Sequence, residues 1–176
     1  MEHKVLLVDD EPKLLDGLKR SLRKEPYAIL TASSATEALA ILECESVDVI
    51  ISDQDMPSMK GTEFLARVHR EYPHIVRFIL TGKATLEVAV EAINEGAISR
   101  FFTKPCNHVD LAVTIRQALE HKDLQAEAER LAKTNKKQTA HIEQLEQEHP
   151  GVTKIERDAS GAVIINLGGD EQEKVG

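Results

Sequence analysis

The sequence is poor in aromatic residues, which make up 3% of its 176 residues and include no tryptophan. Apolar residues still reach 41%, so a core of ordinary size must be built from aliphatic side chains. No apolar run approaches the roughly 20 residues of a membrane helix, and no membrane span is predicted. The N-terminal M-E-H-K-V-L-L-V also lacks the layout of a signal peptide. We therefore expect a cytoplasmic protein.

Basic charge and paired cysteines are also scarce. The chain has 22 Lys and Arg against 30 Asp and Glu, a formal net charge of −8. This excess of negative charge disfavours non-specific binding to nucleic acid or to a membrane surface, since both attract basic faces. Cys44 and Cys106 are isolated and form no C-x-x-C motif, which indicates two reduced thiols in a cytosolic protein.

Short apolar runs alternate with helical patterns through the first 120 residues. The predicted strands are 5–8, 27–31, 47–52, 75–80 and 98–103. The predicted helices begin at Pro12, span 35–42, 61–72 and 86–94, and begin again near His108. This alternation predicts an α/β fold, a doubly wound five-stranded parallel sheet with helices on both faces. Ligands in such folds bind outside the carboxyl ends of the strands.

The composition changes after residue 120. Residues 120–149 are rich in Glu, Lys, Gln, Ala and His, and contain no Gly or Pro. One heptad position holds Leu124, Leu131, Gln138 and Leu145, and the position three residues earlier holds His121, Ala128, Asn135 and Ile142. This pattern predicts a parallel coiled-coil homodimer through 120–149, with the polar Asn135 fixing the register. The alternative is a single solvated helix, because His121 and Gln138 are poor core residues.

The last residues are predicted to form a β-hairpin and a tail. The segments 152–157 and 162–167 flank the turn sequence D-A-S-G, and G-G-D-E-Q-E-K-V-G follows. An isolated hairpin is marginally stable, so it must pack on something or pair with a second chain. The predicted organisation is therefore an α/β domain at 1–121, a helical extension at 122–149, and a hairpin with a flexible tail at 150–176.

Polar residues follow four of the predicted strands at their carboxyl ends. They are Asp9-Asp10-Glu11, Asp53-Gln54-Asp55, Thr81-Gly82 and Thr103-Lys104-Pro105. Any one of these is commonplace as a helix cap, a turn or a loop. Together, at one edge of a parallel sheet, they predict a shallow pocket of carboxylates, a hydroxyl and a lysine.

Clustered carboxylates at neutral pH favour a hard divalent cation, and Mg²⁺ prefers carboxylate, carbonyl, water and phosphate oxygens. An aspartate beside such an ion can act as a nucleophile toward a phosphoryl group. A lysine and a hydroxyl can then bind phosphoryl oxygens, whose charge must be shared. Asp10, Asp53, Thr81 and Lys104 together supply these groups.

Four motifs resemble the receiver domains of two-component response regulators, over about residues 3–121. They are L-L-V-D-D-E at 6–11, D-Q-D-M-P-S-M-K-G at 53–61, L-T-G at 80–82 and F-F-T-K-P at 101–105. The resemblance implies that Asp53 is the phosphoacceptor and that Asp10, Asp53 and the backbone carbonyl of Asp55 are the Mg²⁺ ligands. It makes Asp9 the carboxylate that supports the metal ligands.

The same resemblance assigns the residues that respond to phosphorylation. Thr81 is the hydroxyl that follows the phosphoryl group, Lys104 is its ionic partner, and Phe101 is the switch aromatic. The sequence departs from the commonest pattern at Gly82, where Ala is frequent, and at Phe101, which lacks the hydroxyl of the usual Tyr. Asp55 adds a negative side chain at a position that tunes dephosphorylation in the family.

The resemblance implies a phosphorelay protein whose phosphoryl donor is a histidine kinase or a phosphotransfer protein. Its only catalysis would be its own phosphorylation and dephosphorylation, and its signal would pass through a conformational switch to a downstream protein. The residues after the receiver are too few for a typical DNA-binding output domain and contain no basic recognition helix, so no nucleic-acid partner is expected.

Three other interpretations remain open at this point. The D-Q-D segment also fits haloacid dehalogenase-type phosphatases, although that family places its D-x-D after the first strand and would leave Asp9-Asp10 unexplained. A coiled-coil scaffold with a degenerate receiver would not need the intact acidic and lysine motifs. The third is that the C-terminal segment is a binding module for a partner absent from the sequence, which is compatible with a receiver.

Overall fold

The computed structural model describes residues 2–82 and 86–148, together with two short strands near the C-terminus. The first five strands are β1 (His3–Val8), β2 (Tyr27–Ala32), β3 (Val49–Asp53), β4 (Val76–Thr81) and β5 (Arg100–Thr103). The helices are α1 (Pro12–Ser21), α2 (Ala35–Cys44), α3 (Gly61–Glu71), α4 (Leu86–Asn94) and α5 (His108–Glu148). The two short strands are β6 (Glu156–Arg157) and β7 (Val163–Ile164).

The five strands form one parallel sheet in the order β2-β1-β3-β4-β5. This arrangement confirms the predicted doubly wound fold. The strand order reverses between β1 and β3, and ligands of such sheets bind at this kind of switch point. In the β1–β3 register Val8 lies opposite Ser52, so Asp9 and Asp53, which come next, leave adjacent strands side by side.

The fifth strand begins at Arg100, two residues later than the sequence predicted. The N–H groups of Ala97 and Ile98 both donate to the carbonyl of Ala92, at 3.0 and 3.3 Å. Ile98 is therefore engaged by the turn that ends α4, whereas Ser99 donates its N–H to the carbonyl of Arg77 in β4 at 2.8 Å, directly before the strand begins. Gly96 in the same turn has a φ of +74°, a conformation that glycine adopts without strain.

Alternate strand residues face opposite sides of the sheet, and each side has its own core. On one side the side chains of Val5, Leu7 and Ile51 pack with residues of α1 and α5. On the other side Leu6, Ile50 and Ile79 pack with α2, α3 and α4. Fully buried aliphatic side chains contribute about 1.5–3 kcal/mol each, so this two-sided core holds the carboxyl edge of the sheet in place.

Local sequence signals explain where several helices begin. Pro12 occupies the first turn of α1, where its missing N–H costs nothing. Ser34 caps α2 by accepting a hydrogen bond from the N–H of Glu37 at 3.2 Å, and the Glu37 carboxylate binds Ser33 in return. These caps place α1 and α2 directly after the carboxyl ends of β1 and β2.

The α5 helix is a single helix of 41 residues, which confirms the predicted helical extension. The chain divides into two compact units, residues 1–124 and 125–176. From Asp123 to Glu148 every side chain whose burial is described is exposed. No helix in the described part of the chain is long and apolar enough to cross a membrane.

The two short strands pair antiparallel, with Glu156 opposite Ile164 and Arg157 opposite Val163. This pairing agrees with the part of the predicted hairpin nearest the turn. The rest of the hairpin and the tail lie outside the described residues. The predicted boundaries at 121/122 and 149/150 and the predicted coiled coil remain predictions.

Candidate functional site

Three aspartates meet at the carboxyl edge of the sheet. Carboxylate oxygens of Asp9, Asp10 and Asp53 lie within 4.8 Å of one another. Asp9 and Asp53 are buried, with 2% and 5% of their surface exposed, whereas Asp10 is exposed to solvent. The structure therefore brings together the three carboxylates that the sequence predicted to converge.

The Asp53 carboxylate is held from two directions. Its Oδ2 accepts a hydrogen bond from the backbone N–H of Asp55 at 3.0 Å. Its Oδ1 lies 2.5 Å from the Nζ of Lys104, which follows β5. A carboxylate fixed at both oxygens has a defined orientation, as a nucleophile requires.

Lys104 connects the two buried aspartates. Its Nζ also lies 3.1 Å from Oδ2 of Asp9. Burial would lower the pKa of Lys104, but its hydrogen bonds and attraction to Asp53 and Asp9 raise the pKa above its ordinary value. The lysine therefore carries its positive charge at neutral pH.

Asp9 shows how crowded this edge is. Burial raises the pKa of Asp9 above its ordinary value, although hydrogen bonds from the Glu11 N–H at 2.8 Å and from Lys104 oppose the shift. Repulsion from Asp53 adds to the increase in pKa. Both oxygens of Asp9 thus have protein partners, in agreement with a supporting position beside the exposed Asp10.

Thr81 and Phe101 lie on the two strands beside the acidic edge. Thr81 ends β4, is fully buried, and lies opposite Thr103 in the β4–β5 register. Its hydroxyl donates to the carbonyl of Gly82 at 3.1 Å, and its own carbonyl accepts from the Lys104 N–H at 2.9 Å. Phe101 is half-buried and packs against the core that contains α2, α3 and α4. The peptide bond between Lys104 and Pro105 is cis.

The extra carboxylate of Asp55 points away from the buried pair toward a lysine. Asp55 is exposed, and its Oδ1 lies 3.3 Å from the Nζ of Lys60. An exposed ion pair of this kind contributes little to stability. It does place a positive charge beside the one acidic side chain that departs from the family pattern.

The donor set at this edge fits Mg²⁺. The clustered groups are carboxylate oxygens, the hard ligands that Mg²⁺ prefers, and one of them is exposed enough to leave room for the water ligands that the ion usually retains. The described residues place no cysteine or histidine in this cluster, which argues against a softer metal.

Sequence reasoning missed two residues that hold the start of α3 against the end of β3, next to Asp53. Gln54 is buried and bonds the first turn of α3, with its Oε1 accepting from the Thr62 N–H at 3.0 Å. Gly61 begins α3 so close to Asp53 that a Cβ there would lie 2.1 Å from the Asp53 carbonyl oxygen. The available signal for Gly61 was a glycine as the first residue of the predicted helix 61–72, since glycine allows close backbone approach.

The position of the D-Q-D segment bears on the phosphatase alternative. Asp53 ends β3, the third strand in chain order and the centre of the sheet. The phosphatase pattern places its D-x-D after the first strand, where this chain has Asp9 and Asp10 instead. The observed topology therefore favours the receiver interpretation.

Comparison with known proteins agrees with this topology. The sequence profile of the response regulator receiver domain matches residues 5–116. The chain is 42% identical over 127 residues to the hydrogenase transcriptional regulatory protein HoxA of Cupriavidus necator, covering 72% of this chain and 26% of that protein. It is 40% identical over 123 residues to the transcriptional regulatory protein GlrR of Escherichia coli K12, covering 68% and 28%.

A solved structure is similar over the same region. The signal receiver domain of an HD domain-containing protein from Pseudomonas fluorescens Pf-5 is 40% identical, with a TM-score of 0.66. The match covers 70% of this chain and 98% of that chain. The similarity thus concerns a receiver domain as a whole and only part of each longer relative.

The expected lack of a DNA-binding output is not confirmed by these similarities. Both curated relatives are named as transcriptional regulators, and this chain spans only about a quarter of the length of each.

Proposed function

The chain belongs to the response regulator receiver domain family, and on that premise we propose that Asp53 accepts a phosphoryl group from a histidine kinase or a phosphotransfer protein. The observation that carries this proposal is the setting of Asp53. Its carboxylate is buried at the end of the central strand, fixed by the Asp55 N–H and Lys104, and clustered with Asp9 and Asp10.

The proposed transfer needs a nucleophile and a place for the charge that moves. An oxygen of Asp53 attacks the phosphorus of a phosphohistidine, a P–O bond forms, and the P–N bond to the donor breaks. The displaced imidazole leaves with the electron pair of that bond and takes up a proton. Hydrolysis later removes the phosphoryl group, because water attacks the same phosphorus, inorganic phosphate leaves, and the Asp53 carboxylate is restored.

Mg²⁺ fits the acidic edge, where Asp10, Asp53 and the backbone carbonyl of Asp55 would hold it, with Asp9 in support. Bound there, the ion would offset the negative charge of the carboxylates and attract phosphoryl oxygens. The ammonium of Lys104, already on Asp53, is placed to bind another of these oxygens.

We further propose that Thr81 and Phe101 report the phosphorylation. Thr81 is linked to Lys104 through its backbone carbonyl, so both residues respond to a new group on Asp53. Movement of the Thr81 hydroxyl toward the phosphoryl group would leave space beside β4. The half-buried ring of Phe101, on the neighbouring strand β5, would turn inward to fill that space. The change would remodel the surface formed by α4, β5 and α5.

The signal would then pass through protein contacts to a downstream protein. The α5 helix belongs both to this surface and to the segment 125–148, so one element experiences the switch and continues into the second unit. Control of transcription is the second candidate for the output. It is favoured by the names of the two curated relatives, HoxA and GlrR.

The heptad seam of α5 supports a proposed homodimer. Leu124, Leu131 and Ile142 expose 70%, 52% and 51% of their surface in the single chain. Large apolar side chains at heptad spacing bury this surface when two helices pair. We therefore propose that the protein is a dimer.

The whole proposal is a cytoplasmic, dimeric phosphoacceptor whose only catalysis is its own phosphorylation and dephosphorylation.

The test of the acceptor is labelling of the purified chain with acetyl phosphate in the presence and absence of Mg²⁺, followed by intact mass and peptide mapping. One phosphoryl group is expected on Asp53, only with Mg²⁺, and none in Asp53→Asn. Asp16→Asn is the matched control, because Asp16 is an exposed carboxylate on α1 outside the acidic cluster. Labelling that persists in Asp53→Asn would overturn the assignment.

A further inference from the structure

Gln54 is a buried polar side chain directly after the phosphoacceptor. Only 3% of its surface is exposed. Its Oε1 accepts from the Thr62 N–H at 3.0 Å, and its Nε2 donates to the Thr62 hydroxyl at 3.4 Å. Its backbone is used as well, since its carbonyl accepts from the Gly61 N–H at 3.0 Å and its N–H donates to Leu80 at 2.9 Å.

These bonds replace a cap that α3 otherwise lacks. The residue at the helix N-cap position, Lys60, provides no side-chain hydrogen bond to the first turn. The first N–H groups of a helix have no partner within the helix and need one from elsewhere. Gln54, at the end of β3, provides acceptors for two of these N–H groups. Its backbone carbonyl accepts from Gly61 and its side-chain Oε1 accepts from Thr62.

The consequence is a closed loop beside the acceptor. Residues 55–60 connect Gln54 to the first turn of α3, so the Gln54 bonds join the two ends of this loop. The loop begins with Asp55, whose N–H donates to Oδ2 of Asp53 at 3.0 Å. If the ends separate, Asp55 loses its fixed position relative to the carboxylate.

We propose that Gln54 is a positioning residue for phosphorylation, which closes the loop 55–60 and thereby keeps the Asp55 backbone on the Asp53 carboxylate. The proposal rests on the proposed function of Asp53. A cap that served only the stability of α3 would have a different signature. It would lower the stability of the fold without a specific loss of phosphorylation rate.

The experiment compares Gln54→Met with wild type in the full chain. Methionine has similar length and fills the buried space, but it donates nothing to Thr62 and its sulfur is only a weak acceptor. The backbone bond from the Gly61 N–H to the Gln54 carbonyl remains, so the variant tests the side chain alone. Three quantities are measured: the rate of acetyl phosphate labelling, urea unfolding, and amide hydrogen exchange of the metal-free protein. We expect labelling to slow about tenfold or more, because small misplacements beside a reacting group are costly. We also expect faster exchange at the Asp55 and Thr62 amides.

The stability control is Leu42→Ala, which removes a buried side chain in the last turn of α2. It should destabilise the fold at least as much as Gln54→Met and leave labelling within twofold of wild type. Equal slowing in both variants, or wild-type labelling of Gln54→Met, would overturn the positioning role. Should Gln54→Met fail to fold, Thr62→Pro removes the backbone N–H that donates to Oε1 of Gln54, at a first-turn position where a helix tolerates proline, and wild-type labelling of that variant would also overturn it.

The outcomes separate this inference from the function on which it rests. If wild type is not labelled at Asp53, the proposed function fails, whatever Gln54 does. If wild type is labelled and the Asp55 amide of Gln54→Met exchanges at the wild-type rate, the proposed function stands and the role of Gln54 is refuted.

Discussion

Replacing Gly61 with alanine is expected to strain the backbone beside Asp53, the proposed phosphoacceptor. A Cβ on Gly61 would lie 2.1 Å from the carbonyl oxygen of Asp53, 2.9 Å from its carbonyl carbon, and 3.0 Å from the Cα of Gln54. All three atoms belong to the backbone, so no flexible side chain can swing aside. Ordinary contact begins near 3.4 Å, and the shortest distance must therefore open by about 1.3 Å.

The cost follows from what such a shift breaks. Inserting a methyl group into a well-packed site typically costs about 1–3 kcal/mol. The shift also stretches the Gly61–Gln54 hydrogen bond, at 3.0 Å in the structure, and losing it adds about 1 kcal/mol. The better helix propensity of alanine returns at most about 1 kcal/mol. With that full return, we expect Gly61→Ala to lower the free energy of unfolding by about 1–3 kcal/mol.

Gly17 provides the matched control. It lies within α1, and a Cβ there would meet nothing within 4 Å. Gly17→Ala should therefore raise the free energy of unfolding by about 0.5–1 kcal/mol, because alanine restricts the unfolded chain and favours the helix. Urea unfolding of wild type and both variants measures the difference. If Gly61→Ala is as stable as wild type, the close approach of α3 to the Asp53 carbonyl is wrong.

Three further predictions concern the metal, the acid limit of stability and the assembly. Asp10→Ala should weaken Mg²⁺ binding in calorimetry and slow acetyl phosphate labelling. Its stability without metal should be unchanged or higher, because one of three crowded carboxylates is removed. An Mg²⁺ affinity equal to that of wild type would contradict the ligand assignment. Burial would raise the pKa of Asp48, but its hydrogen bonds, chiefly from Lys122, hold the pKa below its ordinary 3.8, so its stabilisation is present above about pH 4 and lost as the pH falls through the lowered value. Urea unfolding of Asp48→Asn should therefore show a smaller acid loss of stability than wild type, and parallel curves would count against the pairing. Leu131→Lys should turn a dimer into a monomer in light scattering while Ala126→Lys, off the heptad seam, should not, and a monomeric mass for wild type would refute the dimer.

The acidic edge was predictable because a parallel sheet converts chain order into proximity. Asp9, Asp53 and Lys104 each follow a short apolar run, and the carboxyl ends of parallel strands lie along one edge. Their joint position needed no knowledge of strand order beyond the alternation of strands and helices. The observed distances of 2.5 and 3.1 Å from Lys104 to the two aspartates agree with this expectation.

The supporting contacts were not predictable in the same way, because their partners are remote in sequence and lack a periodic signal. Gln54 caps a helix eight residues away, where sequence rules place the cap directly before the helix. Arg77 interrupts the apolar run of β4 and is buried. Its guanidinium donates to the carbonyls of Ile75 and Ala97 and has no carboxylate partner among the described contacts. Only the folded α4–β5 turn brings the second of these carbonyls within reach.

The charge at the edge of the sheet explains why its parts depend on one another. Three carboxylates and one ammonium leave an excess of two negative charges, in a place where two of the carboxylates are buried. Burial raises the pKa of Asp9, with a smaller contribution from repulsion by Asp53, so the charged form of this buried carboxylate is costly to maintain. A phosphoryl group on Asp53 replaces the single carboxylate charge with roughly 1.5–2 negative charges on the phosphate, which Lys104 alone cannot balance. A divalent cation at Asp10 would offset the excess, so the proposed Mg²⁺ site and the proposed phosphorylation of Asp53 depend on the same concentration of charge.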